Sequence, residues 1–104
     1  MALLSPERIV DTAKEIVRTE GHERLSVRGL ARQLDVTAPA IYDHMASKDA
    51  VLRAVAASGY DELRIAYSTT ADTAIERMRE RAIAYVEFAR TRPELFRLMF
   101  MFRP

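Results

Sequence analysis

The sequence predicts an all-α fold: a three-helix, homeodomain-like helix-turn-helix unit followed by longer helices. Three observations lead there. Apolar residues recur at helical spacing along nearly the whole chain, in segments opened by Ser, Thr or Pro. No segment alternates with period two for long enough to make a strand. Two of the helical segments are very short and are joined only by Asp35-Val36-Thr37.

Ser5-Pro6-Glu7 opens the first helix, with Ser as N-cap, Pro at the first helical position and an acid in the first turn. Ile9, Val10, Ala13, Ile16 and Val17 share one face, and Gly21 ends a helix over about 6–20. Ser26 caps a second helix, about 27–34, with Val27, Leu30, Ala31 and Leu34 inward. Thr37 caps a third, about 38–44, whose first turn tolerates Pro39 because that N–H has no helical partner. Ile41 and Met45 are its inward pair.

Ser47 caps the fourth helix, with Asp49 in its first turn and a stripe of Val51, Leu52, Val55, Ala56, Gly59 and Leu63 that ends near Tyr67. After the linker-like Ser68-Thr69-Thr70, a fifth helix is predicted from about Asp72 to Thr91. Its inward set is Ile75, Met78, Ala82, Tyr85, Val86 and Ala89. Glu76, Arg77, Arg79, Glu80 and Arg81 read as a solvated, self-paired face. Pro93 breaks that helix and starts a sixth, which carries Leu95, Phe96, Leu98, Met99, Phe100 and Phe102.

Composition narrows the function classes. The chain has 104 residues, 49% apolar and 30% charged, which is one globular domain's worth. It has no Cys, which excludes a disulfide scaffold, a Cys-ligated zinc site and a thiol nucleophile. No metal ligand set is expected, since His22 and His44 lack a third partner, and no cofactor is implied. None of the three Gly sits in a phosphate-cradling pattern. There is no signal-peptide pattern and no apolar run near the ~20 residues of a membrane span, so a cytoplasmic chain without membrane partners is expected. No nucleophile–base–orienter set stands out, so no enzymatic activity is expected. The net charge is only +1. Segment 24–53 has a small positive excess, from Arg24, Arg28, Arg32, Lys48 and Arg53 against Asp35, Asp43 and Asp49. Any nucleic-acid reading therefore rests on where the charges sit.

The informative unit is 26–45. Helices this short do not stand alone in water, because nucleation is costly, so they must pack on their neighbours. In a helix-turn-helix the second helix offers its N-terminal residues to the DNA major groove. With Ile41 inward, Pro39 and Asp43 point outward and Ala40 and Tyr42 lie on the flanks. Ala38, Pro39 and Ala40 make a small leading edge that fits close to base edges and thymine methyls.

Residues 5–55 resemble the DNA-binding domain of the tetracycline-repressor (TetR) family of bacterial regulators. The matching text runs from Ile9, Ala13, Ile16-Val17 and Gly21 through Leu25-Ser26-Val27-Arg28-Gly29-Leu30-Ala31-Arg32-Gln33-Leu34-Asp35-Val36. It continues in Ala40-Ile41-Tyr42-Asp43-His44-Met45-Ala46-Ser47-Lys48-Asp49-Ala50-Val51-Leu52. Tyr42-x-His44, followed by Ser47-Lys48-Asp49-x-x-Leu52, is the most telling piece. Met45-Ala46 stands where many relatives carry a bulky aromatic. Residues 85–89 and 93–100 are similar to the start of that family's ligand-binding region.

The resemblance implies roles for individual residues. Arg28 reaches a guanine edge, a pair worth roughly 1–3 kcal/mol of discrimination. Thr37 meets a phosphate at the start of the third helix. Tyr42, His44 and Lys48 hold phosphates and set register. It also implies a boundary: a helix-turn-helix domain over 1–53, with its motif at about 26–45, and a partial regulatory and dimerisation region over 54–104. The implied partners are double-stranded DNA with a palindromic operator, a second copy of the chain and a small-molecule effector. The implied activity is transcriptional regulation, most often repression, with the fourth helix transmitting effector binding. Most of the effector pocket and the dimer bundle expected of the family fall outside 104 residues, so either a fragment or a natively short chain is expected, and the nearly all-round apolar 95–102 segment favours a fragment.

Plainer readings stand beside these. Arg28, His44 and Lys48 can be ordinary surface charges, and Tyr42 a half-buried packing residue. The fold can also serve as a protein-interaction module through the apolar 95–102 segment, which should pack on the fourth and fifth helices or on another chain. Tyr85, Phe88 and Met99 can line part of a ligand pocket or simply belong to the core.

Overall fold

The computed structural model describes residues 3–103. Six α-helices follow one another: α1 Pro6–Glu20, α2 Val27–Leu34, α3 Ala38–Tyr42, α4 Lys48–Ala66, α5 Ala74–Thr91 and α6 Pro93–Met101. A short 3-10 turn, His22–Arg24, separates α1 from α2. There is no strand among the described residues.

The helix starts follow from local chemistry. The hydroxyls of Ser5, Ser26, Thr37 and Ser47 each accept a hydrogen bond from the backbone N–H three residues on, at 3.0–3.3 Å. All four were expected as caps, and each satisfies one donor that a helix end otherwise leaves open. Thr73 does the same for α5, so that helix starts at Ala74 rather than Asp72. α3 ends at Tyr42, two residues earlier than expected. Asp43 and His44 continue as a turn, their N–H groups donating to the carbonyls of Pro39 and Ile41.

One core joins the elements. Ile9, Val17, Leu25, Leu30, Ile41, Val51, Val55, Leu95 and Leu98 are fully enclosed. Each such side chain stabilises the fold by roughly 1.5–3 kcal/mol. α6 lies against α1, α4 and α5, and buries Leu95, Leu98 and Met99. The apolar 95–102 segment therefore has its cover inside this chain, and of its apolar residues only Phe100 and Met101 are exposed. Gly59 makes the α4–α6 approach possible: a Cβ there would stand 2.7 Å from the Met99 sulfur. Beside it, the Tyr60 hydroxyl donates to the Met99 carbonyl at 2.7 Å.

A polar tie crosses the same junction. Glu62 of α4 pairs with Lys14 of α1 and, at 3.4 Å, with Arg92 between α5 and α6. These charges line a cleft of about 600 Å³ between α1 and the α5–α6 corner.

α5 departs from expectation. Of its predicted inward set, Ile75, Met78, Ala82, Tyr85 and Val86 are exposed and Ala89 is half-buried; Phe88 is its one buried residue. The arginines explain the rotation. Arg77 donates to the carbonyls of Ala71 and Asp72, and Arg81 to that of Tyr67. The charged face thus grips the preceding loop instead of pairing with itself, and the apolar stripe turns outward. Tyr85 stacks on Tyr67 and meets Phe96 edge-on, with ring centroids at 6.4 and 5.3 Å. Burial raises the Tyr67 phenol above its ordinary pKa, with the neighbouring Tyr85 adding to it.

Candidate nucleic-acid interface

The turn between α2 and α3 is a left-handed helix stop. Asp35 has φ 56° and ψ 47°, the only described non-glycine residue with positive φ. Its N–H donates to the Arg32 carbonyl at 3.2 Å, and the Val36 N–H reaches back to Ala31 at 2.9 Å. That pair of bonds is a Schellman stop, and Asp tolerates the conformation because its short carboxylate crowds the backbone little. Val36 packs on the core, and Thr37 then caps α3.

The burial of Ile41 fixes how the short helix is turned. Thr37, Pro39, Tyr42, Asp43, His44 and Lys48 are exposed, while Ala38 and Ala40 are half-buried on the flanks. Tyr42 keeps half its surface in water, which favours an edge role over a packing role. Met45 follows as a half-buried anchor against the core. Lys48 is the first residue of α4, next to the Ser47 cap. Arg28 lies exposed in the first turn of α2. Residues 37–48 thus form one continuous outward ridge, held from beneath by Ile41 and Met45.

Ion pairing sharpens the weak charge excess. Arg18, Arg53, Arg64, Arg90 and Arg97 each pair with a carboxylate on their own helix. Asp49 is taken by Arg53 at 2.9 Å, so it does not neutralise Lys48. Among the described residues, Arg24, Arg28, Arg32 and Lys48 have no carboxylate within ion-pair distance. Four cations on and around the helix-turn-helix are thus left without a carboxylate, as are Arg77, Arg79 and Arg81 of α5, two of which bond loop carbonyls instead. Counting charges along the sequence could not separate these from the neutralised ones.

No backbone outside α2 comes close to Gly29. The nearest atom to a Cβ there is the Ser26 hydroxyl, at 3.0 Å. Of the residues considered for a ligand pocket, Phe88 and Met99 are core residues, and Tyr85 sits at the core's rim in the aromatic row. Among the described residues, no group of three or more His, Cys, Asp or Glu is placed to hold a metal, and no helix is long and apolar enough to cross a membrane.

The architecture defines a class: a helix-turn-helix unit on a long connecting helix, with a second helical layer above. Residues 9–55 match the model of the "Bacterial regulatory proteins, tetR family". Over those residues the chain carries the regulatory-protein domain of the TetR family. It is 32% identical over 95 residues to YobS of Bacillus subtilis (strain 168), described as an uncharacterised HTH-type transcriptional regulator; the match covers 86% of this chain and 48% of that one. It is 38% identical over 56 residues to the class D tetracycline repressor protein of Escherichia coli, covering 54% of this chain and 26% of the repressor. A possible TetR family transcriptional regulator from Streptomyces coelicolor A3(2) superposes with a TM-score of 0.78 at 28% identity, over 96% of this chain and 49% of that one. A TetR structure from Acinetobacter baumannii AYE reaches 0.82 at 24% identity, covering 98% and 53%, and bears on the fold alone. The chain spans about half the length of YobS and of these solved structures.

Proposed function

We propose that this chain carries the DNA-reading part of a transcriptional regulator, most often a repressor, that acts as a dimer on a palindromic operator. Ala38, Pro39 and Ala40 enter the major groove as the leading edge of α3. Arg28 reads a guanine through its two-pronged fork. Thr37, Tyr42, His44 and Lys48 hold phosphates on either side and fix register. Asp43, on the outward side of α3, weakens rather than helps phosphate contact.

The observation that carries the reading is the ridge over 37–48: exposed, small at its leading edge, propped by buried Ile41, and flanked by cations without carboxylate partners. One such unit reads few base pairs, so a second copy is needed for useful affinity. The function divides near residue 53, although α4 runs through that position without a break. Residues 54–104 contribute to a regulatory region where a small-molecule effector is sensed. Movement of α4 changes the spacing of the two reading helices.

A binding-site selection on random duplexes, followed by footprinting, tests this. An enriched palindrome is the expected result. Arg28→Ala should relax preference at one base pair by about tenfold to a hundredfold. Tyr42→Ala should weaken all duplexes alike. If both variants bind every duplex as the parent does, with the same salt slope, the assigned ridge is not the interface.

A further inference from the structure

Around the helix-turn-helix, the cations without carboxylate partners outnumber those the reading above uses. Arg28 and Lys48 are assigned; Arg24 and Arg32 are not. Both are exposed. Both line a groove of about 300 Å³ where the end of α1 meets the outer side of α2, together with Glu20, Ser26, Gly29 and Gln33. Glu20 forms no ion pair with either arginine. Gly29 adds no side chain to the groove, and a Cβ there would stand 3.0 Å from the Ser26 hydroxyl oxygen. Arg32 lies four residues beyond Arg28, which places it about 40° further round α2 and about 6 Å along it.

We propose that Arg24 and Arg32 form a second phosphate-binding cluster, gripping the duplex backbone beside the base-reading edge. The proposal rests on the DNA-binding reading above and extends its footprint from α3 across α2. The first helix of a helix-turn-helix crosses the sugar–phosphate backbone, so Arg32, a turn beyond the base-reading Arg28, and Arg24, ahead of the helix, face phosphodiester oxygens. Guanidinium forks match those oxygens in geometry and charge. The cluster sets affinity and register and carries no sequence preference. Glu20, in the same groove, opposes it and limits non-specific binding.

The test is the salt dependence of binding, measured by fluorescence anisotropy on the selected duplex and on a scrambled one. The proteins are the parent chain, Arg24→Gln, Arg32→Gln, the double variant and Glu20→Gln, each checked for helix content by circular dichroism. Each arginine variant should lower the slope of log K against log salt by about 0.9. The double variant should then lose roughly tenfold less affinity than the parent between 50 and 200 mM salt. The ratio between the two duplexes should stay constant throughout. Glu20→Gln should tighten both duplexes equally. A folded double variant with the parent's slope overturns the cluster and leaves the regulator reading intact. So does a changed ratio between duplexes, which would make either arginine a base reader. A parent chain that binds neither duplex at low salt overturns the regulator reading, and the cluster with it.

Discussion

Asp35 shows how one dihedral angle positions the interface. A left-handed residue must stop α2 so that α3 leaves in a new direction after three residues, and here Asp takes that place. Left-handed geometry costs an L-residue roughly 1–2 kcal/mol, least for Asn and Asp. Asp35→Gly is expected to hold or slightly raise the unfolding midpoint, because relief of strain offsets the added freedom of the unfolded chain. Asp35→Val should destabilise by about 1–2 kcal/mol, since a β-branched side chain crowds this conformation further. Urea unfolding followed by circular dichroism separates the two. Equal midpoints would mean that the turn carries no such strain. Asp-Val-Thr suggests a turn, but its handedness depends on how Val36 packs on the core, which no local pattern states.

α4 and α6 approach each other closely, and the approach depends on Gly59. The sequence reading placed Gly59 correctly in the apolar stripe of α4. Its purpose became visible only with Met99 in place, because the two are forty residues apart. Gly59→Ala favours helix by up to ~1 kcal/mol. It also drives a methyl group to within 3 Å of the Met99 side chain, which is 2% exposed and has little room to move. Overpacking of this kind costs about 1–3 kcal/mol. A net loss of about 1–2 kcal/mol is expected in thermal unfolding, together with weakening of the Tyr60–Met99 hydrogen bond. A gain in stability would mean that α6 sits further from α4 than described. The same division between near and far information holds for other elements. The caps at Ser5, Ser26, Thr37 and Ser47 and the inward turn of Ile41 follow from neighbours within four residues, and they were readable. The outward rotation of α5 depends on Arg77 and Arg81 finding carbonyls in a loop, and it was not.

The molecule extends 52 × 26 × 23 Å, and two of its exposed surfaces differ in chemistry. One presents the cationic ridge and α2. The other presents α5, where Ile75, Met78, Ile83 and Val86 are each more than 60% exposed, with Ile65 of α4 exposed as well. Single exposed apolar residues are ordinary, but a row of them along one helix is a surface that water disfavours. This surface holds more of the apolar area the fold leaves open than α6, where Phe100 and Met101 are exposed. Replacing Ile75 and Val86 by Glu should therefore change association without changing folding. The expected shift in unfolding free energy is within about 0.5 kcal/mol per site, as for exposed positions generally. Binding of an apolar dye should fall, and sedimentation at micromolar concentration should move toward the monomer. A loss above about 2 kcal/mol in the folded monomer would mean that α5 is packed inward. Unchanged dye binding would place the open apolar surface elsewhere. Lys48→Glu, on the cationic surface, should leave the dye signal unaltered and weaken duplex binding, so the two surfaces can be separated in one set of measurements.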